Sequence, residues 1–456
     1  MSGQLDSVLV HIEERREQAI ERLFAYLRMP SISAEGVGMR ENATFLLGQL
    51  TSMEFETRLI ETVGWPMVWG HRPGPVGSPR LLLYGHYDVQ PPDPIDAWIS
   101  PPFEPEIRDG RIWARGAGDN KGQHFANLLA LEAVIAATGN LPCSVTVLLE
   151  GEEEVGSPHI ADFVRDHCDL LDVDLVITSD GPVHDSGRWT VEFGVRGVVS
   201  FELRATGANH DVHSGNFGGI VPNPIWTLVH ALATVKDPEG QITIPGLLDA
   251  VQPPTDLELA AIGAMPDGTV TVMEDLGLTE LDHPLGRGFY ERLMAWPTLT
   301  INGFHGGYGG PGSKTVLPSS AFVKCDVRLV PNMTVAGTLE AIRAHLARHA
   351  PGVEFIPGGG MEPSKTPLDS PYAEPIARGI ELATGETPLR VPAMGGSLPE
   401  YVWTQILGVP AFVVPYANHD EQNHAPNENI EVERFVTGIK IGAAVLIQLA
   451  EQRKVV

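Results

Sequence analysis

The stretch Leu81-Leu82-Leu83-Tyr84-Gly85-His86-Tyr87-Asp88 passes abruptly from apolar side chains to a histidine and an aspartate. Two later apolar runs end in the same way, Ser144 to Leu149 before Glu150 to Glu154, and Asp174 to Ser179 before Asp180. Short apolar runs of this kind predict buried strands of a parallel sheet, and the carboxyl ends of such strands form the ligand crevice of open α/β sheets. Acidic groups that meet there repel one another unless cations lie among them. The pattern therefore predicts a metal site at one edge of a parallel sheet.

The order of the predicted elements indicates a large domain that is interrupted by a smaller one. Strand and helix patterns alternate up to about residue 195 and again after about residue 365, which is typical of a doubly wound parallel sheet. Between these parts, Val198 to Ala205 and the alternating Val323 to Val330 predict half-buried strands, and Pro238 to Pro297 is expected to be irregular. We expect an α/β fold whose main domain comprises residues 1–195 and 365–456, with an inserted α+β domain at 196–364.

Composition excludes several classes of partner. The chain has 456 residues and a formal net charge of −27, whereas binding to nucleic acid or to an anionic membrane requires a basic surface. Cys143, Cys168 and Cys325 are too far apart for a cysteine-type zinc motif, and we expect them to be buried free thiols in a reducing compartment. Met1 to Ile20 lacks the apolar core of a signal peptide, so the sequence predicts a cytoplasmic protein without a membrane anchor.

Each polar motif alone has an ordinary structural explanation, because an aspartate after a strand often caps a helix and a Glu-Glu pair often begins one. Their order along the chain is more specific. Together they resemble the co-catalytic metallopeptidase family of carnosinase-type dipeptidases, glutamate carboxypeptidase, aminoacylase, acetylornithine deacetylase and succinyl-diaminopimelate desuccinylase, and the dipeptidase branch most of all. The resemblance is carried by Gly85–Pro91, Arg115–Gly122, Glu150–Ser157, Ser179–Asp180 and Asn423–Glu428.

The resemblance implies a zinc-peptidase type of catalytic domain that holds two divalent ions. It implies that His86 and Asp180 bind one ion, that Glu154 and His424 bind the other, and that Asp119 bridges them. Histidine and carboxylate ligands without thiolate suit Zn²⁺, and also Mn²⁺ or Co²⁺. The family also implies a cis peptide after the bridging Asp119. His419 is an alternative to His424, but Ala425-Pro426-Asn427-Glu428 follows His424 in the family's spacing.

Two further acidic residues of the catalytic domain receive roles from the resemblance. Glu153 is similar to the family's general base. That residue takes a proton from the water that bridges the metals and later passes it to the leaving amine. The run Glu152-Glu153-Glu154 leaves the register open by one residue, and the following Val155-Gly156-Ser157 favours Glu153 as the base. Asp88 lies two residues beyond His86, where it could orient the imidazole or hold a neighbour.

The inserted domain resembles the family's lid and dimerisation domain. Asp211-Val212-His213-Ser214-Gly215 implies that His213 reaches the partner's site in a homodimer and stabilises the oxyanion there, with His210 as the alternative. Arg328 and the turn with Gly396 and Ser397 resemble the family's residues that bind the substrate's carboxylate. One feature departs from the carnosinase pattern: Ile356-Pro357-Gly358-Gly359-Gly360 lacks the histidine that precedes the Gly-Gly pair there.

The function that follows is hydrolysis of an amide bond in dipeptides or similar small molecules with a free carboxylate. The alternative within the family is an N-acyl-amino-acid deacylase or a carboxypeptidase. An alternative of another class is a homologue that has lost its metals and serves as a binding protein, against which the complete set of ligands argues.

Overall fold

The computed structural model describes residues 2–282 and 288–451. Met1, 283–287 and 452–456, which belong to the predicted domains, lie outside the described residues. The helices are α1 (Ser2–Glu14), α2 (Arg16–Leu27), α3 (Met39–Ser52), α4 (Lys121–Thr138), α5 (Ile160–Asp166), α6 (Ser214–Phe217), α7 (Pro224–Leu232), α8 (Asp256–Ala264), α9 (Thr269–Asp275), α10 (Phe289–Ala295), α11 (Val335–His349), α12 (Ala373–Thr384) and α13 (Val432–Glu451).

The strands follow the same chain order. They are β1 (Glu56–Ile60), β2 (Met67–Arg72), β3 (Arg80–His86), β4 (Glu106–Arg108), β5 (Arg111–Trp113), β6 (Ser144–Glu150), β7 (Leu175–Thr178), β8 (Thr190–Glu192), β9 (Gly194–Val195), β10 (Gly197–Thr206), β11 (Val212–His213), β12 (Thr298–Gly306), β13 (Val316–Leu317), β14 (Ser320–Leu329), β15 (Glu354–Met361), β16 (Ser364–Lys365), β17 (Leu389–Val391), β18 (Ala411–Val413) and β19 (Asn429–Glu431).

The largest sheet has eight strands in the order β1-β2-β6-β3-β7-β18-β8-β17. Its centre is parallel, because β3 pairs in parallel with both β6 and β7, and β7 pairs in parallel with β18. The central strands β3, β6, β7 and β18 are buried over nearly their full length, as strands covered on both faces must be. Helices α4, α12 and α13 pack together and share the main core with α1 to α3. The carboxyl ends of β3, β6 and β7 therefore meet at one edge, as the sequence predicts.

The second sheet has four antiparallel strands in the order β12-β14-β10-β15. The alternation in β14 is confirmed, because Val323, Cys325, Val327 and Leu329 are all buried. Helices α7 and α11 cover this face and form a separate core with it. We propose that this sheet and its helices constitute the inserted domain of residues 196–364.

The chain crosses between the two sheets at two adjacent places. The outgoing crossing follows β9, and the returning crossing leads into β16. These two short strands pair with each other in antiparallel fashion, with Ser364 opposite Val195 and Lys365 opposite Gly194. The inserted sheet is thus attached to the main sheet through a two-stranded connection.

Some expectations from the sequence need correction. The stretch from Pro238 to Pro297 contains three helices, α8, α9 and α10, in its described residues, and α8 begins with a capping box between Thr255 and Glu258. The inserted sheet has β12 and β15 in addition to the two predicted strands. Cys143 and Cys325 are buried free thiols as predicted, but Cys168 is exposed.

Within residues 2–282 and 288–451, no helix is both long and apolar enough to cross a bilayer.

Candidate metal centre

Three strands and two loops bring the predicted metal ligands to one edge of the large sheet. His86 is the last residue of β3, Asp180 follows β7, and Glu154 follows β6 within a single 3-10 turn. Asp119 lies two residues before the start of α4, and the Asp119–Asn120 peptide is cis, as the resemblance implies. His424 comes from the loop before β19 and has a positive φ of 57°. Residues far apart in the sequence therefore converge at the carboxyl ends of parallel strands.

The first group consists of His86, Asp119 and Asp180. The Nε2 atom of His86 lies 3.2 Å from Asp119 Oδ1 and 3.4 Å from Asp180 Oδ2. This nitrogen is buried and makes no hydrogen bond of good geometry with any described residue. A buried nitrogen that faces two carboxylates without bonding either one is typical of a ligand directed at a common cation.

The second group consists of Asp119, Glu154 and His424. The Nε2 atom of His424 lies 3.1 Å from Asp119 Oδ2 and 3.1 Å from Glu154 Oε2. Asp119 thus contributes one carboxylate oxygen to each group. His419, the alternative, is exposed on the surface and belongs to neither group. A carboxylate with one oxygen in each group would be able to bridge two neighbouring ions.

The pKa values of these groups reflect their crowding. Burial raises the pKa of Glu154 to about 7, and the nearby charge of Asp119 adds to this effect. The carboxylates of Asp119 and Glu154 raise the pKa of His424 to about 11. Burial alone lowers the pKa of His86, but Asp119 and Asp180 raise it well above its usual range. Acidic groups and imidazoles packed in this way stabilise positive charge between them, which two divalent ions would supply.

The structure distinguishes the three glutamates that the sequence leaves in doubt. Glu152 is buried, and its Oε2 atom lies 2.7 Å from Nδ1 of His159. Glu154 faces His424. The carboxylate of Glu153 has no hydrogen-bond or ion-pair partner among the described residues, and burial raises its pKa well above the usual range. A carboxyl group that is free to exchange protons beside the ligands fits the role of a general base.

Asp88 links the two halves of the site. Its two carboxylate oxygens accept hydrogen bonds from the backbone N–H groups of Glu153 and Glu154, at 3.2 and 3.1 Å. The same carboxylate lies 3.3 Å from Nδ1 of His86. Asp88 therefore both orients the imidazole and holds the turn that contains Glu153 and Glu154, the two alternatives that the sequence leaves open.

The loop that contains Asp119 is fixed by a buried glutamate whose role the sequence does not predict. Glu428 accepts hydrogen bonds from the backbone N–H groups of Gly116, Gly118 and Asp119, at 3.1, 2.9 and 3.0 Å. The guanidinium group of Arg115 donates to the same carboxylate at 2.7 Å, and both side chains are buried. Glu428 lies in the motif Asn423–Glu428, but only the fold shows that it contacts the loop around residue 118.

Two of the predicted substrate-binding residues meet across the domains. Arg328, on the polar face of β14, donates a hydrogen bond from Nη1 to Oγ of Ser397 at 2.9 Å. Ser397 follows Gly396 in a turn that precedes a short π-helix, Val402–Leu407. The inserted domain and the large domain thus each provide one side of a polar site.

His213 does not join the metal ligands of its own chain. It is exposed, and its ring nitrogens interact with the backbone N–H of Gly215 at 3.0 Å and with Oγ1 of Thr315 at 3.3 Å. The loop is stabilised by Asp211, which accepts two hydrogen bonds from Ser319. His210 bonds to Asn209 at 2.6 Å and is likewise remote from the ligand groups.

Comparison with known proteins identifies the family. The model of the peptidase family M20/M25/M40 matches residues 82–448 of this chain. The chain belongs to this family. The predicted resemblance is thereby confirmed, and the family is one of peptidases.

Several individual relatives are similar over most of the chain. The Cys-Gly metallodipeptidase of Schizosaccharomyces pombe is 28% identical over 99% of this chain and 99% of its own length. The human Beta-Ala-His dipeptidase is 29% identical over 81% of this chain and 75% of its own. Among solved structures, an M20 family metallo-carboxypeptidase of Sulfolobus solfataricus superposes with a TM-score of 0.88 and 32% identity, covering 95% of this chain and 99% of that one. These similarities confirm the predicted fold class.

Proposed function

We propose that the protein is a metal-dependent dipeptidase. The observation that supports this most directly is that Asp119 belongs to both ligand groups. One of its carboxylate oxygens lies with His86 and Asp180, and the other lies with Glu154 and His424. The dipeptidase names of the relatives from Schizosaccharomyces pombe and human add to it. The substrate is a dipeptide or a similar small amide with a free carboxylate.

The five ligands His86, Asp119, Glu154, Asp180 and His424 would hold two divalent ions, and Zn²⁺ fits their nitrogen and oxygen donors best. Mn²⁺ and Co²⁺ are compatible with the same donors. When bound, such a pair would lower the pKa of a coordinated water and polarise the amide carbonyl.

The remaining steps belong to side chains of this protein. Glu153 accepts the proton of the attacking water and transfers it to the leaving amine, because its carboxylate is beside the ligands and has no competing partner. Asp88 keeps Glu153 in place through the backbone hydrogen bond to it. Arg328 and the turn with Gly396 and Ser397 bind the substrate's carboxylate and thereby orient the scissile amide.

We also propose that the active form is a homodimer in which His213 serves the site of the partner. His213 lies in the inserted domain, and its ring is exposed where a second chain could approach it. The inserted domain leaves large apolar side chains in water, with Trp226 60% and Ile220 79% exposed. Its strand β12 is an edge strand with Ile301 and Phe304 exposed. Apolar patches of this kind mark protein–protein contacts.

We propose that the protein is cytoplasmic, because buried free thiols such as those of Cys143 and Cys325 suit a reducing compartment.

A substrate panel tests the proposal. Protein purified without chelators is saturated with Zn²⁺ or Mn²⁺, its metal content is measured, and it is assayed with dipeptides, N-acyl amino acids and longer peptides. We expect two ions per chain and the highest kcat/KM for dipeptides. One ion or none at saturation would refute the dinuclear site.

The panel also separates the alternatives. Preference for N-acyl amino acids or for the last residue of longer peptides would instead indicate a deacylase or a carboxypeptidase, the activity named for the relative from Sulfolobus solfataricus. Absence of both metal and hydrolysis would indicate a binding protein.

A further inference from the structure

Arg196 lies where the chain crosses from the large sheet into the inserted domain. It is placed between β9 and β10, and its side chain is only 7% exposed. Both Nε and Nη2 donate to one acceptor, the carbonyl oxygen of Gly395, at 2.9 and 2.7 Å. Burying a guanidinium group costs free energy unless hydrogen bonds or an opposite charge compensate for the lost water. The two bonds to Gly395 provide part of this compensation.

The backbone on either side of Val195 is also hydrogen-bonded to the segment before Gly395. The N–H of Met394 donates to the carbonyl of Gly194 at 2.8 Å, and the N–H of Arg196 donates to the carbonyl of Met394 at 3.3 Å. Backbone pairing ends at Met394, and the side chain of Arg196 extends it by one residue to Gly395. The turn that starts at Gly395 is therefore held in register with the first strand of the inserted domain.

Arg328 is close to this attachment. It lies opposite Val198 in the pairing of β14 with β10, two residues beyond Arg196, and it bonds to Ser397, two residues beyond Gly395. Each arginine thus holds one end of the turn Gly395-Gly396-Ser397. The position of the turn relative to the guanidinium group of Arg328 therefore depends on both contacts, the one at Gly395 and the one at Ser397.

The charges at this place favour an anion. Burial lowers the pKa of Arg196 to about 10, and the positive charge of Arg328 contributes to the shift. The nearest acidic group, Asp326, lies 3.8 Å from Nε of Arg328, and Arg196 has no ion pair among the described residues. Among the residues that the structure describes, Asp326 is thus the one carboxylate near two guanidinium groups, which leaves positive charge for a carboxylate supplied by a ligand.

We infer that Arg196 is a positioning residue for the site that binds the free carboxylate of the substrate. It fixes Gly395, and through Gly395 it fixes the position of Ser397 relative to Arg328. Because Arg196 is also the first residue of the crossing, it connects the position of the inserted domain to the carboxylate site. The inference rests on the proposed dipeptidase function and extends it to the origin of selectivity for a free C-terminus.

The experiment compares two substrates that differ only at this group, L-Ala-L-Ala and its C-terminal amide. Arg196→Met removes the donors while it keeps much of the side chain's volume. Arg204→Met, at an exposed position of β10, is the matched control for the loss of one positive charge. We expect Arg196→Met to lower kcat/KM for the free acid about tenfold to a hundredfold, the effect of a lost charged hydrogen bond, mainly through KM. The amide should lose much less, and Arg204→Met should change neither.

A second variant covers the possibility that Arg196→Met does not fold. Arg196→Lys keeps the charge but cannot donate two bonds from a planar group, so it should recover only part of the preference for the free acid. Equal losses for acid and amide would reduce Arg196 to a structural role and overturn the inference. Full recovery with lysine would also overturn it, because charge alone would then be sufficient.

A binding measurement separates this inference from the proposed function. In a Glu153→Gln background, calorimetric titration with the same acid and amide measures the preference without turnover. If the enzyme hydrolyses no dipeptide, the proposed function fails, but the ratio of the two dissociation constants still tests Arg196. A ratio that Arg196→Met leaves unchanged contradicts the inference.

Discussion

Gln90 holds Glu154 at three points. The backbone N–H of Gln90 donates to Oε1 of Glu154 at 3.2 Å, and its side-chain amide donates to Oε2 at 2.9 Å and to the backbone carbonyl at 3.0 Å. The outer hydrogen bonds of a ligand fix its orientation and influence its affinity for a metal. Gln90 therefore determines how Glu154 faces His424 and Asp119.

This relationship gives the first prediction. Gln90→Leu should weaken the binding of one of the two ions about tenfold to a hundredfold and leave the other almost unchanged. Competition with a chelator, followed by metal analysis, measures both affinities. Gln49→Leu, on α3, where the side-chain oxygen accepts a hydrogen bond from Arg22, is the control and should have wild-type affinities. Equal weakening of both ions would show that Gln90 supports the whole edge of the sheet instead.

The second prediction assigns the adjacent glutamates. Glu153→Gln should keep two ions per chain and lose turnover by about 10²- to 10⁴-fold, because the proton acceptor is gone. Glu154→Gln should lose one ion, since a ligand is replaced by a neutral amide. Metal content and kcat are measured on the same preparations. If the two phenotypes are exchanged, the base and the ligand have been assigned in the wrong order.

The third prediction concerns His213. His213→Ala should bind both ions normally but lose about 10²- to 10³-fold in turnover, the usual effect of removing one oxyanion donor. Mixed with the Glu153→Gln chain, it should regain activity, because one site of the heterodimer then has an intact Glu153 and an intact His213 from its partner. The control is each variant alone after the same exchange treatment. No recovery despite proven heterodimers would exclude catalysis across subunits.

The fourth prediction uses a buried acid that is not one of the predicted metal ligands. Burial raises the pKa of Glu192, on β8, to about 8. Its Oε2 atom has no hydrogen-bond partner within the described part of the chain. Between about pH 4.5 and pH 8 the unfolded chain has already lost this proton while the folded chain keeps it, so stability falls as the pH rises.

Glu192→Gln removes this dependence. The melting temperature of the variant should exceed that of the wild type by a margin that grows from pH 5 to pH 8 and is constant above. Glu374→Gln, at an exposed site, should show no such trend. Melting curves at fixed metal concentration measure the margin, and a margin independent of pH would contradict the assignment.

The sequence predicts the ligand set because each ligand directly follows an apolar run or lies in an ordered motif. It does not predict the roles of Gln90 and Glu428, although both lie in the quoted motifs. The hydrogen bonds of Gln90 reach Glu154, which is 64 positions away in the sequence, and those of Glu428 reach Asp119, which is 309 positions away. No local pattern contains this information.

The missed strands have a local cause. In β15 the segment Pro357-Gly358-Gly359-Gly360 has low strand propensity, and it is extended only because β10 pairs with it at the edge of the sheet. In β12 the register shifts between Ile301 and Gly303, so the alternation of side chains is interrupted there. Tertiary pairing decides the structure at both places.

The pairing of β9 with β16 has a consequence for how the chain could be shortened. The chain passes into residues 196–363 after Val195 and returns at Ser364, which is directly opposite. A short turn could therefore join these two positions, although α8 and α10 pack on β17 and their loss would expose part of its apolar surface. Such a shortened chain would retain all five predicted ligands and Glu153, but it would lack Arg328 and His213. It would therefore separate metal binding from the proposed recognition of the substrate.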